Sequence, residues 1–215
     1  MARGAVWILV LAWLAGPAAA LDFDACEKTE IAQITLAVEQ AEQMAEAAAA
    51  AVRDDEAYRR WFGRYGQAEA ALVRETLTAV HLALSASAIE IACINDGIDG
   101  CKDGTYAYVY RDEPFRVHLC RSFHRLPAMF EAELGSDELE NGTRAGTIIH
   151  EVSHFTQIAG TDDHCYSRGV CADMARTDVR SAVRNADSFQ YYAEDVAYGP
   201  TLAPRTRATG RVRLR

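Results

Sequence analysis

Apolar residues recur three and four positions apart through the first third of the chain. Ile31, Ile34, Val38, Ala41 and Ala45 share one helical face and lead into an alanine-rich run, which predicts a helix over residues 27–52. A second stripe of Val73, Leu77, Val80 and Leu84 predicts another long helix over residues 66–92. Trp61 and Phe62 lie between the two and are expected as core anchors. From Thr105 the period changes to two. Tyr106, Tyr108 and Tyr110 fall on one face and Ala107 and Val109 on the other, and after a turn at residues 111–114 the alternation resumes with Phe115, Val117 and Leu119. That is a hairpin, whose tyrosine face suits either a cleft or the core. Ile148, Ile149, Val152 and Phe155 predict a buried helix over residues 147–155, and Thr177 or Asp178 is expected to open a last helix that includes residues 185–194. With no repeat and no linker, the pattern predicts one α+β domain, a helical body with a small antiparallel sheet.

The two ends of the chain differ from this body. Arg3, an apolar run from Ala5 to Leu14 and Ala18-Ala19-Ala20 make residues 1–20 an expected signal peptide, cleaved after Ala20 and too short for a stable membrane anchor. Residues 201–215 hold five arginines and little apolar content, so a basic, disordered tail is expected there. Residues 21–200, the expected domain, carry 16 basic and 31 acidic side chains, a formal charge of −15. Such a body repels nucleic acid and anionic membranes and attracts cationic peptides. All six cysteines lie beyond the signal, and an even count in an exported chain points to disulfides formed outside the cytosol, in a secreted or periplasmic protein. Asn141-Gly142-Thr143 is a glycosylation sequon for a eukaryotic host. The domain is expected to act as a monomer.

The chemistry concentrates in His150-Glu151-Val152-Ser153-His154. On a helix, residues four apart share a face, so both imidazoles can bind one zinc ion while Glu151 stands beside it as a proton acceptor. A third ligand is needed. The long metzincin pattern fails, because Gln157 and Gly160 stand where it requires Gly and His. Asp163 is the better candidate, since Gly160 in a left-handed conformation can end the helix and bring the chain back toward the ion. Asp162, His164 and Cys165 are neighbouring competitors, and a distant Glu194 would make a gluzincin-like site. Three protein ligands leave a position open for water, as in catalytic zinc sites.

This combination, HExxH followed by Gly160-Thr161-Asp162-Asp163-His164-Cys165-Tyr166, resembles the aspzincin peptidases, the family of deuterolysin and the peptidyl-Lys metalloendopeptidases. Trp61-Phe62-Gly63, Gly104-Thr105-Tyr106-Ala107-Tyr108-Val109-Tyr110, Ala145-Gly146-Thr147 and Asn185-Ala186-Asp187 extend the resemblance over nearly all of the chain after residue 25, closer to the peptidyl-Lys branch. The resemblance implies a zincin-like fold and one Zn2+ per chain held by His150, His154 and Asp163. It also implies Glu151 as general base and Tyr166 as the donor that stabilises the oxyanion. The substrates it implies are proteins or peptides cut on the amino side of lysine. Asp187 and Gln190 occupy the positions that receive that lysine in the peptidyl-Lys branch, where the second is acidic, so the preference is expected to be relaxed. Ser167 stands where the family often has Gly. The resemblance favours disulfides Cys26–Cys93 and Cys101–Cys120, which leaves Cys165 and Cys171 as a local bridge bracing the loop of Asp163 and Tyr166. An alternative of another class is a secreted binding or toxin-like module that keeps the zinc without turnover. The presence of Glu151 and Tyr166 argues against it, because metal binding alone requires neither.

Overall fold

The computed structural model describes residues 21–86, 89–102 and 104–199. The expected signal peptide and the arginine-rich tail lie outside the described residues. Helix α1, Lys28–Ala51, starts at a capping box in which Glu27 and Glu30 bond each other's backbone, and it buries Ile34, Ala37, Val38, Ala41, Met44, Ala45, Ala48 and Ala49. Small alanines along that face let other helices approach closely, and α1 packs against α3, α4 and α7. Helix α2, Glu56–Phe62, is capped by Asp55 and delivers Trp61 and Phe62 into the core as expected. Helix α3 spans Gln67–Ser85.

Four strands form one mixed sheet in the order β1-β2-β4-β3. They are β1 (Asp22–Asp24), β2 (Glu90–Ile94), β3 (Ala107–Val109) and β4 (Arg116–Cys120). The expected hairpin is present as the antiparallel pair β3 and β4, with Ala107 opposite Leu119 and Val109 opposite Val117. The sheet as a whole is not antiparallel, because β1, β2 and β4 run parallel. The second predicted helix is also too long, since it runs into what is strand β2. That strand lies between two neighbours and buries both Ile91 and Ala92, so it lacks the alternation of a half-exposed strand and reads like the end of a helix. Tyr108 and Tyr110 pack around His118 on β4, with Tyr108 stacked on the imidazole at 4.6 Å between centroids.

Helix α4, Arg144–His154, is buried along its whole length and packs on α1 and α7. Beyond it, an unexpected helix α5, Arg168–Thr177, precedes the predicted last helix, which divides into α6, Val179–Ala182 behind an Asp178 cap, and α7, Ala186–Tyr198. The break before α7 has a local cause. The carbonyl of Arg184 and the N–H of Ala186 pair with Asp162 instead of continuing a helix. Three disulfides, Cys26–Cys93, Cys101–Cys120 and Cys165–Cys171, agree with the expected pairing. Among the described residues no helix is long and apolar enough to cross a membrane.

Candidate metal centre and cleft

Helix α4 sets the geometry of the site from both ends. At its start Thr143 accepts a hydrogen bond from the N–H of Gly146 at 3.0 Å, while its own N–H and hydroxyl donate to Glu194 Oε1 at 2.7 and 2.8 Å. Glu194 is fully buried and pairs with Arg168 at 2.6 Å. It therefore sits at the opposite end of α4 from the two histidines, and the gluzincin-like alternative is corrected: its carboxylate is occupied by a helix cap and a buried arginine.

At the other end His150 and His154 lie one turn apart, with ring centroids 4.8 Å from each other. Asp163 Oδ1 is 3.2 Å from His150 Nε2 and 3.3 Å from His154 Nε2, and the three candidate ligand atoms all lie within 4.8 Å of one another. The outward nitrogens decide whether this trio suits a metal. His154 Nδ1 lies 2.9 Å from the carbonyl of Thr161, which can only accept, so that nitrogen carries the proton and Nε2 keeps its lone pair for an ion. His150 Nδ1 faces Asp187 Oδ1 at 2.7 Å in the same manner. Two imidazole nitrogens and one carboxylate oxygen, each histidine oriented by an acceptor behind it, fit zinc.

The loop bearing Asp163 is fastened at several points. The chain leaves α4 at His154, turns, and passes through Gly160 at φ 60°, the left-handed conformation expected there, although the helix itself ends six residues before the glycine. Thr161 N–H then donates to Ser153 O at 3.1 Å and Asp162 N–H to Arg184 O at 2.8 Å. Asn185, fully buried, accepts from the N–H groups of His164 and Cys165 at 2.8 and 3.0 Å. The competing ligands point elsewhere. Asp162 is held by Arg111 at 2.6 Å, which lowers the pKa of its carboxyl; His164 lies 3.9 Å from Asp162; and Cys165 is bonded to Cys171.

Around this trio a cleft of about 570 Å³ opens, walled on one side by residues 104–109 and on the other by Glu151, Tyr166, Asp187 and Gln190. Glu151 is buried in the wall, and desolvation pushes its carboxyl pKa up against the opposing pull of His150 and His154. Tyr166 stands at the rim, 62 % exposed, its ring 6.4 Å from that of His150 and nearly parallel to it. Partial burial and the charge of Asp163 raise its phenol pKa, which keeps the O–H available as a donor. Ser167 adopts φ 72°, the left-handed conformation that explains why glycine is common at this position, and donates its N–H to Asp187 Oδ2 at 3.0 Å. Asp187 also accepts from Tyr191 at 2.9 Å. The amide nitrogen of Gln190 donates to Asn141 O at 3.2 Å, which leaves its oxygen without a protein partner among the described residues.

Reasoning from sequence gave no part in the site to Tyr191 or Arg111, and it met Thr161 and Asn185 only as members of resembling segments. Each acts through a backbone group or a neighbour's charge rather than a ligand spacing, so no spacing announces its role.

Comparison with known proteins adds independent findings. A family model described as lysine-specific metallo-endopeptidase, of the aspzincins, matches residues 47–194. An extracellular protease of Aeromonas hydrophila is 33 % identical over 174 residues, 79 % of this chain and 46 % of that protein, so the chain spans about half the length of this relative. A peptidyl-Lys metalloendopeptidase of Pleurotus ostreatus is 31 % identical over 84 % of this chain and 99 % of its own length. Among solved structures, a zinc peptidase from Grifola frondosa superposes with a TM-score of 0.67 at 26 % identity, covering 79 % of this chain and 97 % of that one.

Proposed function

Because the chain belongs to the aspzincin family of lysine-specific metallo-endopeptidases, we propose that it is an exported zinc endopeptidase that cuts proteins and peptides on the amino side of lysine, with relaxed selectivity. The observation that carries this reading is the convergence of His150 Nε2, His154 Nε2 and Asp163 Oδ1 beside a buried Glu151 at the wall of an open cleft. His150, His154 and Asp163 hold the ion, with Asp187 and the carbonyl of Thr161 fixing the two imidazoles from behind. Zinc at such a site supplies Lewis acidity, polarising the scissile carbonyl and lowering the pKa of water toward about 7. Glu151 accepts the proton of the attacking water and passes it to the leaving amine. Tyr166 donates its phenolic hydrogen to the oxygen that gains charge.

Selectivity rests on Asp187 and Gln190. Asp187 brings a negative charge to the cleft, but His150, Ser167 and Tyr191 already draw on its two oxygens. Gln190 offers an uncharged acceptor, since its amide nitrogen is engaged by Asn141. An ammonium group is attracted by this pair, and neutral donors are tolerated. The acidic body favours basic substrates, as the charge balance suggested. Export is supported by the leader-like first twenty residues, the three disulfides and the extracellular protease of Aeromonas hydrophila among the relatives.

The test is to map, by mass spectrometry, the cuts that the zinc-loaded protein makes in a denatured protein mixture, with Glu151→Gln as control. Cuts enriched before lysine support the whole reading. Unbiased cuts keep the peptidase and remove the selectivity, and no cuts above the control would sink the reading.

A further inference from the structure

Arg111 has no part in the chemistry above, yet it joins two walls of the cleft. It follows β3, whose stretch at residues 104–109 forms one wall. Its Nη1 donates to Asp162 Oδ1 at 2.6 Å and its Nη2 to the carbonyl of Gly160 at 2.7 Å, so it grips the residue before Asp163 and the left-handed glycine that turns the chain. Its own carbonyl accepts from Thr156 N–H at 3.0 Å, and the adjoining Asp112 accepts from the Thr156 hydroxyl at 2.7 Å. Two consecutive residues thus bind both the exit of α4 and the ligand loop to the strand wall.

We propose that Arg111 is a positioning residue for the metal: it holds the Asp163 loop in register with the strand wall and draws the Asp162 carboxylate away from His150 and His154, so that a single carboxylate faces the ion. This rests on the reading of Asp163 as the third ligand. Adjacent aspartates present two similar oxygen donors within one loop, and the backbone bonds of Asp162 to Arg184 and Ala186 orient the chain but tie down neither carboxylate. A planar guanidinium with two parallel donors ties down one of them, because it can bond one carboxylate and a nearby backbone carbonyl at once. Both partners of the ion pair are about half exposed, with side-chain exposures of 44 % and 46 %. An exposed pair of that kind contributes little to global stability, so its removal registers in the metal site rather than in the melting temperature.

The experiment compares wild type, Arg111→Ala, Arg111→Lys, Arg111→Ala combined with Asp162→Asn, and Asp163→Ala. The readouts are zinc affinity by competition with a chromophoric chelator, the visible spectrum of the cobalt-substituted protein, and Tm. Arg111→Ala is expected to weaken zinc binding about tenfold and to alter the cobalt spectrum at a nearly unchanged Tm, the scale of losing a residue that orients a ligand. Lysine restores part of the affinity, lacking the second planar donor. Adding Asp162→Asn restores tighter binding by removing the competing carboxylate; a double variant no tighter than Arg111→Ala would overturn that part of the proposal. Wild-type zinc affinity in Arg111→Ala, beside a large loss in Asp163→Ala, would overturn the role of Arg111. Wild-type affinity in Asp163→Ala would instead overturn the ligand assignment, and the proposal with it.

Discussion

The two ends of α4 each meet a buried glutamate, in opposite surroundings. At the start of the helix Glu194 accepts from the N–H and hydroxyl of Thr143 and pairs with Arg168. Arg168 is in turn held by Asp195 and the carbonyl of Leu139 and lies over the rings of Trp61 and Tyr191. Every strong donor and acceptor there has a partner, and the carboxylate is closed off from the cleft. Near the end of the helix Glu151 is almost as deeply buried, but it opens on the cleft and has no hydrogen-bond partner among the described residues. A carboxylate tied by protein donors organises the fold, whereas one that faces a cleft keeps its oxygens open to solvent and substrate.

Substitutions on either side can break or sharpen this contrast. The largest effect is expected for Glu151→Gln, which should lower kcat by about 10²–10⁴-fold while leaving zinc content and Tm near wild type. Steady-state kinetics with metal analysis checks it, and near-normal turnover would remove Glu151 as the base. Glu194→Ala should act oppositely. It leaves Arg168 with Asp195 as its one remaining buried carboxylate and Thr143, the cap of α4, without the acceptor that holds it, which should cost about 1–3 kcal/mol of stability in denaturant titrations. Protein that stays folded should keep its cleavage pattern. Asp187→Asn comes next, with about 10–100-fold weaker zinc binding, since His150 loses the carboxylate that orients it. A chelator titration measures this, and unchanged affinity would mean that Asp187 serves the substrate alone. The smallest effect is expected for Gln190→Glu, which adds a charge to the acceptor pair and should raise the preference for lysine over glutamine after the cut bond by roughly tenfold. Competition between two matched peptides would show it, and no change in the ratio would place selectivity elsewhere in the cleft.

Much of this arrangement was legible in the chain. The spacing of α1, the core role of Trp61 and Phe62, the hairpin and the pairing of His150 with His154 all follow from short-range periodicity, which local geometry converts directly into shared faces. Strand β2 was not legible, because a strand buried between two parallel neighbours loses its alternation, and β1 is only three residues long. The break before α7 escaped for another reason: the backbone around Arg184 and Ala186 is claimed by Asp162, a partner more than twenty residues away.

Sequence by itself determined the donor chemistry on offer at α4, since two histidines one helical turn apart beside a glutamate present the same groups whatever surrounds them. Tertiary structure alone decided how that chemistry is held. It turned Asp163 toward the histidines and Asp162 toward Arg111, sent Glu194 to the far end of α4, and set Asp187 behind His150. Those outcomes depend on hydrogen bonds between groups distant along the chain, and a local pattern carries no record of which distant donor will reach which acceptor.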